Sequence, residues 1–198
     1  MHYYDLYESP HGQMLLVADG EGLSGVYFNG QKYLPPVESD WRRDGRHAPL
    51  RQAKRELAEY FGGEREQFET ALAPEGTPFQ RSVWKAISTV GFGKTITYGE
   101  LARRAGCPGN ARAAGAATGR NPLTIIVPCH RIIGANGSLT GYAGGLDRKR
   151  ALLSLESRIP DLLSGIGYQS RSDSMILKDD PVAVPPIQRW PFKTVPSH

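Results

Sequence analysis

Short apolar runs punctuated by glycine open the chain. Between Tyr3 and Phe28, Leu15-Leu16-Val17 and then Leu23, Val26 and Phe28 are set off by Gly12, Gly20, Gly22 and Gly25, a pattern that predicts short strands, tight turns and a small antiparallel sheet. The period changes at Leu50. Leu50, Ala53, Leu57, Tyr60 and Phe61 recur at helical spacing and stop at Gly62-Gly63, which predicts one amphipathic helix with a glycine ending. This first unit shows no obvious chemistry. A short connection, Leu72 to Gly76, leads to Thr77-Pro78-Phe79-Gln80, where Thr can cap, Pro fits the first helical position and Gln completes a capping box. Phe79, Val83, Trp84, Ile87 and Val90 are expected on one buried face of the helix that follows.

Thr97-Tyr98-Gly99-Glu100 reads as a second capping box, opening a helix that ends at Gly106. After the turn Cys107-Pro108-Gly109-Asn110, a helix runs from Ala111 to Thr118, with Asn110 as its expected cap and Gly119 as its stop. Two helices joined by a short glycine-containing turn make a helix-turn-helix candidate. The second helix, Ala111-Arg112-Ala113-Ala114-Gly115-Ala116-Ala117, carries one long side chain among small ones. It is either a tightly packed internal helix or a smooth face that lets the backbone approach a groove, since it lacks the polar side chains that read base edges. Asn121-Pro122 breaks the chain, and the β-branched run Thr124 to Val127 is expected to be a buried strand delivering Pro128-Cys129-His130-Arg131.

Charge sharpens this division. The net charge is +4, yet residues 76–157 hold 11 Lys/Arg against 3 Asp/Glu while the remainder of the chain is net acidic, so the second unit has the electrostatic footprint of a polyanion binder or a charged solvated face. No apolar run approaches the roughly 18 residues of a membrane helix, and the N-terminus lacks a secretory pattern, so a reducing cytoplasm is expected. With 2 cysteines, a disulfide framework or Cys cluster for zinc is not available. Any cysteine function should be thiol chemistry.

A cysteine in such a chain is most often an inert small hydrophobe, and Cys107, at a turn near Arg104, keeps that reading. Cys129 differs because His130 and Arg131 adjoin it in a basic segment, and positive surroundings favour the thiolate. Strand neighbours point to opposite faces, so a proton path from Cys129 to His130 is expected to pass through a water. A carboxylate should orient the histidine, and Glu156, at the end of the helical run Arg148 to Glu156, is the nearest beyond the motif apart from Asp147.

Pro-Cys-His-Arg at 128–131, preceded by Gly119-Arg120-Asn121-Pro122 and followed by Gly141-Tyr142-Ala143-Gly144-Gly145-Leu146, closely resembles the O6-alkylguanine-DNA alkyltransferase family. The likeness is strong over about residues 76–157 and weaker before them. It implies an α+β chain with a small ribonuclease H-like sheet-and-helix domain (1–75), a mainly helical, winged-helix-like catalytic domain with a helix-turn-helix (76–157), and a Pro-containing tail (158–198). The implied reaction is single-turnover transfer of an alkyl group from O6 of guanine, or O4 of thymine, to Cys129.

The same resemblance assigns roles. His130 deprotonates Cys129 through a water, Glu156 holds His130, and Tyr98 donates a proton toward O6 of the leaving guanine. Arg112 enters the base stack when the damaged nucleotide rotates out, offsetting part of the few kcal/mol that extrusion costs. Ala111, Ala113, Gly115 and Arg120 complete a minor-groove surface, and Asn121 is a hinge to the cysteine segment. Tyr142, Ala143 and Gly144 close over the guanine, whose hydrogen bond the Ile132 carbonyl accepts, and Arg131 is structural or electrostatic. Double-stranded DNA carrying O6-alkylguanine is the implied partner of a protein monomeric in solution, with cooperative assembly on DNA left open. No metal or organic cofactor is implied.

Two features depart from the family pattern. Ala143 stands where some members have Ser, which bears on the alkyl groups accepted, and the tail from Arg158 to His198 extends beyond the usual end, either disordered or docked through Trp190 and Phe192. Two other readings compete. A non-enzymatic damage-recognition relative would lack the reactive cysteine, and a cysteine hydrolase would need an oxyanion hole and repeated turnover.

Overall fold

The computed structural model describes residues 1–157; the expected tail, with Trp190 and Phe192, lies outside the described residues. The first unit is a four-stranded sheet in the order β3-β2-β1-β4. β1 (Tyr3–Ser9), β2 (Gly12–Ala18) and β3 (Leu23–Phe28) form the expected antiparallel meander, in which Tyr3 pairs with Ala18 and Met14 with Phe28. Gly12, at φ +107°, makes the tight first turn that residues with a Cβ rarely adopt. A two-residue strand that the pattern did not predict, β4 (Arg42–Arg43), adds parallel to β1 at the edge. Helix α1 (Ala48–Phe61) covers the sheet and buries Leu50, Ala53, Leu57 and Tyr60, the residues whose spacing predicted it.

In the second unit, α2 (Pro78–Ser88) begins with the full Thr77/Gln80 capping box. Val83, Trp84, Ile87 and Val90 are buried, whereas Phe79 is 39% exposed. Phe79 occupies the first turn, before the helix meets its neighbours, so spacing alone misplaced it. β5 (Ile96–Thr97) then leads to α3 (Tyr98–Arg104), where Thr97 caps the Glu100 amide, but the Glu100 carboxylate pairs with Arg103 and Arg104 instead of returning to the cap. Two cations one turn along outcompete the second half of the expected capping box. After Gly106 and Gly109, both at positive φ, comes α4 (Ala111–Gly119), which packs on α2 and α3. Asn110 holds the cap position without a side-chain hydrogen bond.

The expected strand Thr124–Val127 is absent. Leu123 makes an isolated bridge to the edge of β3, where Val26 N–H donates to Pro122 O (2.7 Å) and Thr124 N–H to Val26 O (3.0 Å), and Thr124 bridges Val127 within the segment itself. The chain then folds back on itself, with Ile125 at φ +74° and the Val127 amide on Leu123 O. The run is apolar and β-branched because it is buried, and burial in a turn looks like burial in a strand. Cys129–Arg131 follow as one 3₁₀ turn, then β6 (Ile132–Ile133), parallel to β5, and α5 (Leu146–Ser157). One continuous core joins the two units, running from Met14 and Leu16 through Leu57 and Tyr60 to Ile87, Val127 and Cys129.

Candidate active site

Cys129 belongs to this core and is 4% exposed. Asn121 holds the turn that presents it. The Asn121 side-chain amide donates to Val127 O (2.8 Å) and to Cys129 Sγ (3.2 Å), while its oxygen accepts the Leu123 amide (3.0 Å). One side chain at the end of α4 therefore ties the helix to both limbs of the cysteine loop. Ile125 within that loop occupies a left-handed conformation that is rare for a β-branched residue and costs on the order of 1–3 kcal/mol. The dense bonding around it keeps the loop in place.

In the 3₁₀ turn, His130 and Arg131 both reach Glu156 on α5. Glu156 Oε1 accepts from His130 Nε2, an Arg131 amino group and the Tyr60 hydroxyl, each at 2.8 Å; Oε2 accepts Arg131 Nε (2.8 Å) and the Gly93 amide (3.2 Å). Burial would raise the Glu156 carboxyl, but the hydrogen bonds from His130 and Arg131 more than offset it and hold the group at about 2. Burial lowers His130 in spite of Glu156, favouring the neutral imidazole. With Nε2–H given to a carboxylate, the lone pair falls on Nδ1. Nδ1 is buried and meets no hydrogen-bond partner among the described residues. Asp147, the other carboxylate near the motif, is fully exposed and pairs with Arg150.

The electrostatics of the thiol differ from the sequence expectation. Burial pushes Cys129 up, and the Asn121 hydrogen bond and the charge of Lys149 only partly oppose it. His130 and Arg131 are occupied by Glu156, so the adjacent basic residues do not supply the expected thiolate stabilisation. The cation that does act on the sulfur is Lys149, buried on α5, its ammonium donating to Ile132 O (2.5 Å) and Thr140 O (2.8 Å) and pushed down to about 8 by burial. The carbonyl of Ile132 thus already has one donor. A thiol kept protonated by burial needs a base at the moment of reaction.

Around the sulfur stand two tyrosines. The Tyr98 hydroxyl donates to the carbonyls of Thr140 (3.1 Å) and Gly141 (3.2 Å), and burial raises it above the ordinary tyrosine value. The Tyr142 hydroxyl is buried without a partner among the described residues, and burial raises it well above that value. Gly144 is buried, and a Cβ there would meet the Tyr142 ring at 2.8 Å and Phe28 at 3.2 Å, so glycine is needed for packing under the loop. The carbonyl of Ala143 accepts the Lys32 amide (3.0 Å), tying that loop to the first unit.

On α4, Arg112, Ala113 and Ala116 are exposed and, with Gly109 and Asn110, line a solvent-open depression of about 590 Å³. Ala111 is half-buried beside them. Ala114 and Ala117 face inward, and the Trp84 indole donates to Ala117 O (2.9 Å). Gly115 is turned toward Tyr98, whose ring lies 3.5 Å from where a Cβ would stand. Arg120 is exposed, with its guanidinium 3.8 Å from the centre of the Tyr33 ring. The helix is thus both of the things its composition allowed: packed on one face and smooth on the other.

Three site residues were not legible in the sequence. Tyr60 sits at apolar helical spacing 96 residues from Glu156 and reads as core; Lys149 lies in an Arg-Lys-Arg run that reads as a solvated surface; Gly93 reads as a helix stop. The first unit therefore does contribute a side chain to the candidate site. Among the described residues no group of His, Cys, Asp and Glu could hold a metal ion, and no helix is long and apolar enough to cross a membrane.

Comparison with known proteins covers both units. Residues 2–74 match the 6-O-methylguanine DNA methyltransferase ribonuclease-like domain, and residues 78–158 the 6-O-methylguanine DNA methyltransferase DNA-binding domain. The methylated-DNA–protein-cysteine methyltransferase of Methanosarcina acetivorans is 51% identical over 154 residues, 78% of this chain and 97% of that protein. Its namesake from Mycobacterium tuberculosis is 47% identical over 161 residues, covering 81% and 96%. The crystal structure of Mycobacterium tuberculosis OGT in complex with DNA superposes with a TM-score of 0.72 at 44% identity, covering 78% of this chain and 92% of that one.

Proposed function

The chain belongs to the 6-O-methylguanine DNA methyltransferase family, and from that premise we propose that Cys129 is the acceptor in direct-reversal repair of alkylated DNA. The substrate is double-stranded DNA carrying O6-alkylguanine, with O4-alkylthymine as a second lesion. Residues 1–75 form the ribonuclease-like domain and 76–157 the catalytic DNA-binding domain. Each residue in the proposed reaction comes from one chain, so a monomer in the cytoplasm suffices; cooperative assembly on DNA is not required.

The observation that carries this reading is the buried His130–Glu156 pair next to Cys129 in the chain, in which a neutral imidazole keeps an unpartnered Nδ1. A water between Sγ and Nδ1 carries the thiol proton to the ring, and Glu156, ionised throughout, stabilises the imidazolium. The thiolate, beside the Lys149 ammonium, attacks the saturated alkyl carbon; the S–C bond forms as the C–O6 bond breaks. The electron pair leaves on guanine, and the Tyr98 hydroxyl, redirected from the Thr140 and Gly141 carbonyls, gives it a proton at O6 that the imidazolium of His130 replaces through water, so that the proton lost by the thiol ends on guanine. The thioether product has no leaving group for water to displace, so each protein reacts once.

For delivery of the lesion, α4 offers its smooth face to the minor groove, with Arg112 filling the stack behind the extruded nucleotide and Ala111, Ala113, Gly115 and Arg120 around it. Tyr142, Ala143 and Gly144 close over the base, and the second lone pair of the Ile132 carbonyl accepts from guanine. The test is incubation with excess duplex carrying O6-methylguanine and mass analysis of the peptides. One methyl on the Cys129 peptide, with product capped at one per protein, is expected; repeated turnover with unmodified Cys129 would overturn the assignment. Arg112→Ala should slow repair of duplex more than reaction with a free O6-alkylguanine base, and equal losses would refute its role in extrusion.

A further inference from the structure

We infer that Tyr60, from the ribonuclease-like unit, is a positioning residue of the proton relay, its hydroxyl setting the basicity of His130 through Glu156. The inference rests on the proposed reaction at Cys129 and deepens it.

Tyr60 is fully buried on α1, its ring lying 5.5 Å from Phe61, 5.5 Å from Phe68 and 6.3 Å from Phe92. Those rings would hold a phenylalanine equally well, and the hydroxyl is the only polar atom that the side chain brings into this environment. It is spent on Glu156 Oε1, the same oxygen that accepts His130 Nε2. Burial, and then the charge of Glu156, raise Tyr60 far above the ordinary tyrosine value, so it is a donor at every working pH.

A donor shared with His130 on one carboxylate oxygen has a defined effect. Each hydrogen bond to Oε1 spreads its negative charge and weakens its hold on the imidazolium proton. The other groups facing the pair are fixed in kind: Lys149 from α5, Arg131 and Cys129 from the 3₁₀ turn and Tyr142 from the loop before α5. Arg131 and Lys149 also disfavour the imidazolium, whereas Glu156 favours it. Tyr60 tempers that one favourable group. With the hydroxyl in place, His130 is neutral and able to accept a proton; without it, Glu156 pulls harder and His130 is already protonated at a higher pH.

The test is the pH dependence of single-turnover methyl transfer from duplex O6-methylguanine by the full chain and by Tyr60→Phe. The variant leaves no buried donor unsatisfied, and a urea titration confirms that it is folded. The expected result is an acid limb displaced upward by about one pH unit, hence transfer about tenfold slower at the acid end, with the plateau rate changed far less and duplex affinity unaltered. A limb that superposes on wild type, or a fall equal at every pH, would overturn the inference and leave Tyr60 a packing residue. In a Glu156→Gln background the displacement should vanish, because the charge through which Tyr60 acts is gone; a displacement that persists there would also overturn it. Failure of the unsubstituted chain to methylate Cys129 would instead sink the proposed reaction itself.

Discussion

Each half of the molecule buries one glutamate, and the two are solved differently. Glu56, on α1 and 0% exposed, accepts from Gln52 Nε2, the amides of Glu69 and Thr70 and the Thr70 hydroxyl, all neutral donors. Glu156, 3% exposed, accepts from an arginine, a histidine, a tyrosine and one amide. The first carboxylate clips a loop to a helix. The second is bonded to a group that can gain or lose a proton, and the other ring nitrogen of that group is buried with no hydrogen-bond partner among the described residues. Burial of a charge is therefore no mark of function by itself; what distinguishes the site is that one of its donors is an imidazole, a group able to exchange a proton with a neighbour.

The largest separation between the halves should come from Glu156→Gln. It leaves Arg131 buried without its counter-charge, so stability should fall by about 3–5 kcal/mol, and methyl transfer should fall by about 10²-fold or more as His130 loses its anchor. Denaturant titration and single-turnover kinetics read the two losses. The pH dependence carries a sign. A carboxyl held at about 2 against an ordinary 4.5 contributes stability above pH 4.5 that is lost as pH falls toward 2. Glu156→Gln should flatten this part of the acid-unfolding curve; an unchanged slope between pH 4.5 and 2 would mean that the carboxylate is not stabilised as described.

Leu16→Ala, in the buried central strand β2, should cost about 2–5 kcal/mol, comparable with the loss in Glu156→Gln. Transfer per folded molecule should stay near wild type, because Leu16 carries no group that the proposed reaction uses. A fall in folded-state rate would break the comparison by showing that the sheet tunes the chemistry. Glu56→Gln should cost about 1–3 kcal/mol, since one of its donors then faces an amide, again with transfer preserved. A pH profile displaced in this variant would erase the contrast between the two glutamates. Thr77→Ala, which removes the capping box at the seam between the units, should cost about 1 kcal/mol in denaturant titration and leave the pH profile unmoved.

Much of the fold was legible because its forces are local. The β1–β3 meander followed from alternating apolar runs and glycine turns, α1 from the spacing of Leu50, Ala53, Leu57 and Tyr60, and the start of α2 from Thr77-Pro78-x-Gln80. The misreadings share one cause. Thr124–Val127 was expected as a strand and is a turn, Phe79 was expected inside and is exposed, and Glu100 was expected on its cap and pairs with Arg103 and Arg104. In each case an apolar or polar pattern reported what the residue type favours, while a neighbour decided what it met.

The candidate site divides along the same line. Cys129, His130 and Arg131 announced themselves as adjacent residues in a basic segment, and their likeness to a known family pointed onward to Glu156, Tyr98, Asn121 and Arg112. The sequence by itself therefore determined the candidate nucleophile and the division into a sheet unit and a basic helical unit, because these depend on residue identity and short-range spacing, and the class of reaction followed from the resemblance those residues carry. Only the tertiary structure decided how the thiol is tuned. It buried Cys129 so that its pKa rises, turned His130 and Arg131 away to Glu156, brought Lys149 in as the nearby cation, and carried Tyr60 across 96 residues of chain to the same carboxylate. Desolvation and hydrogen bonding depend on what surrounds a group in space, and those neighbours are chosen by packing rather than by sequence position.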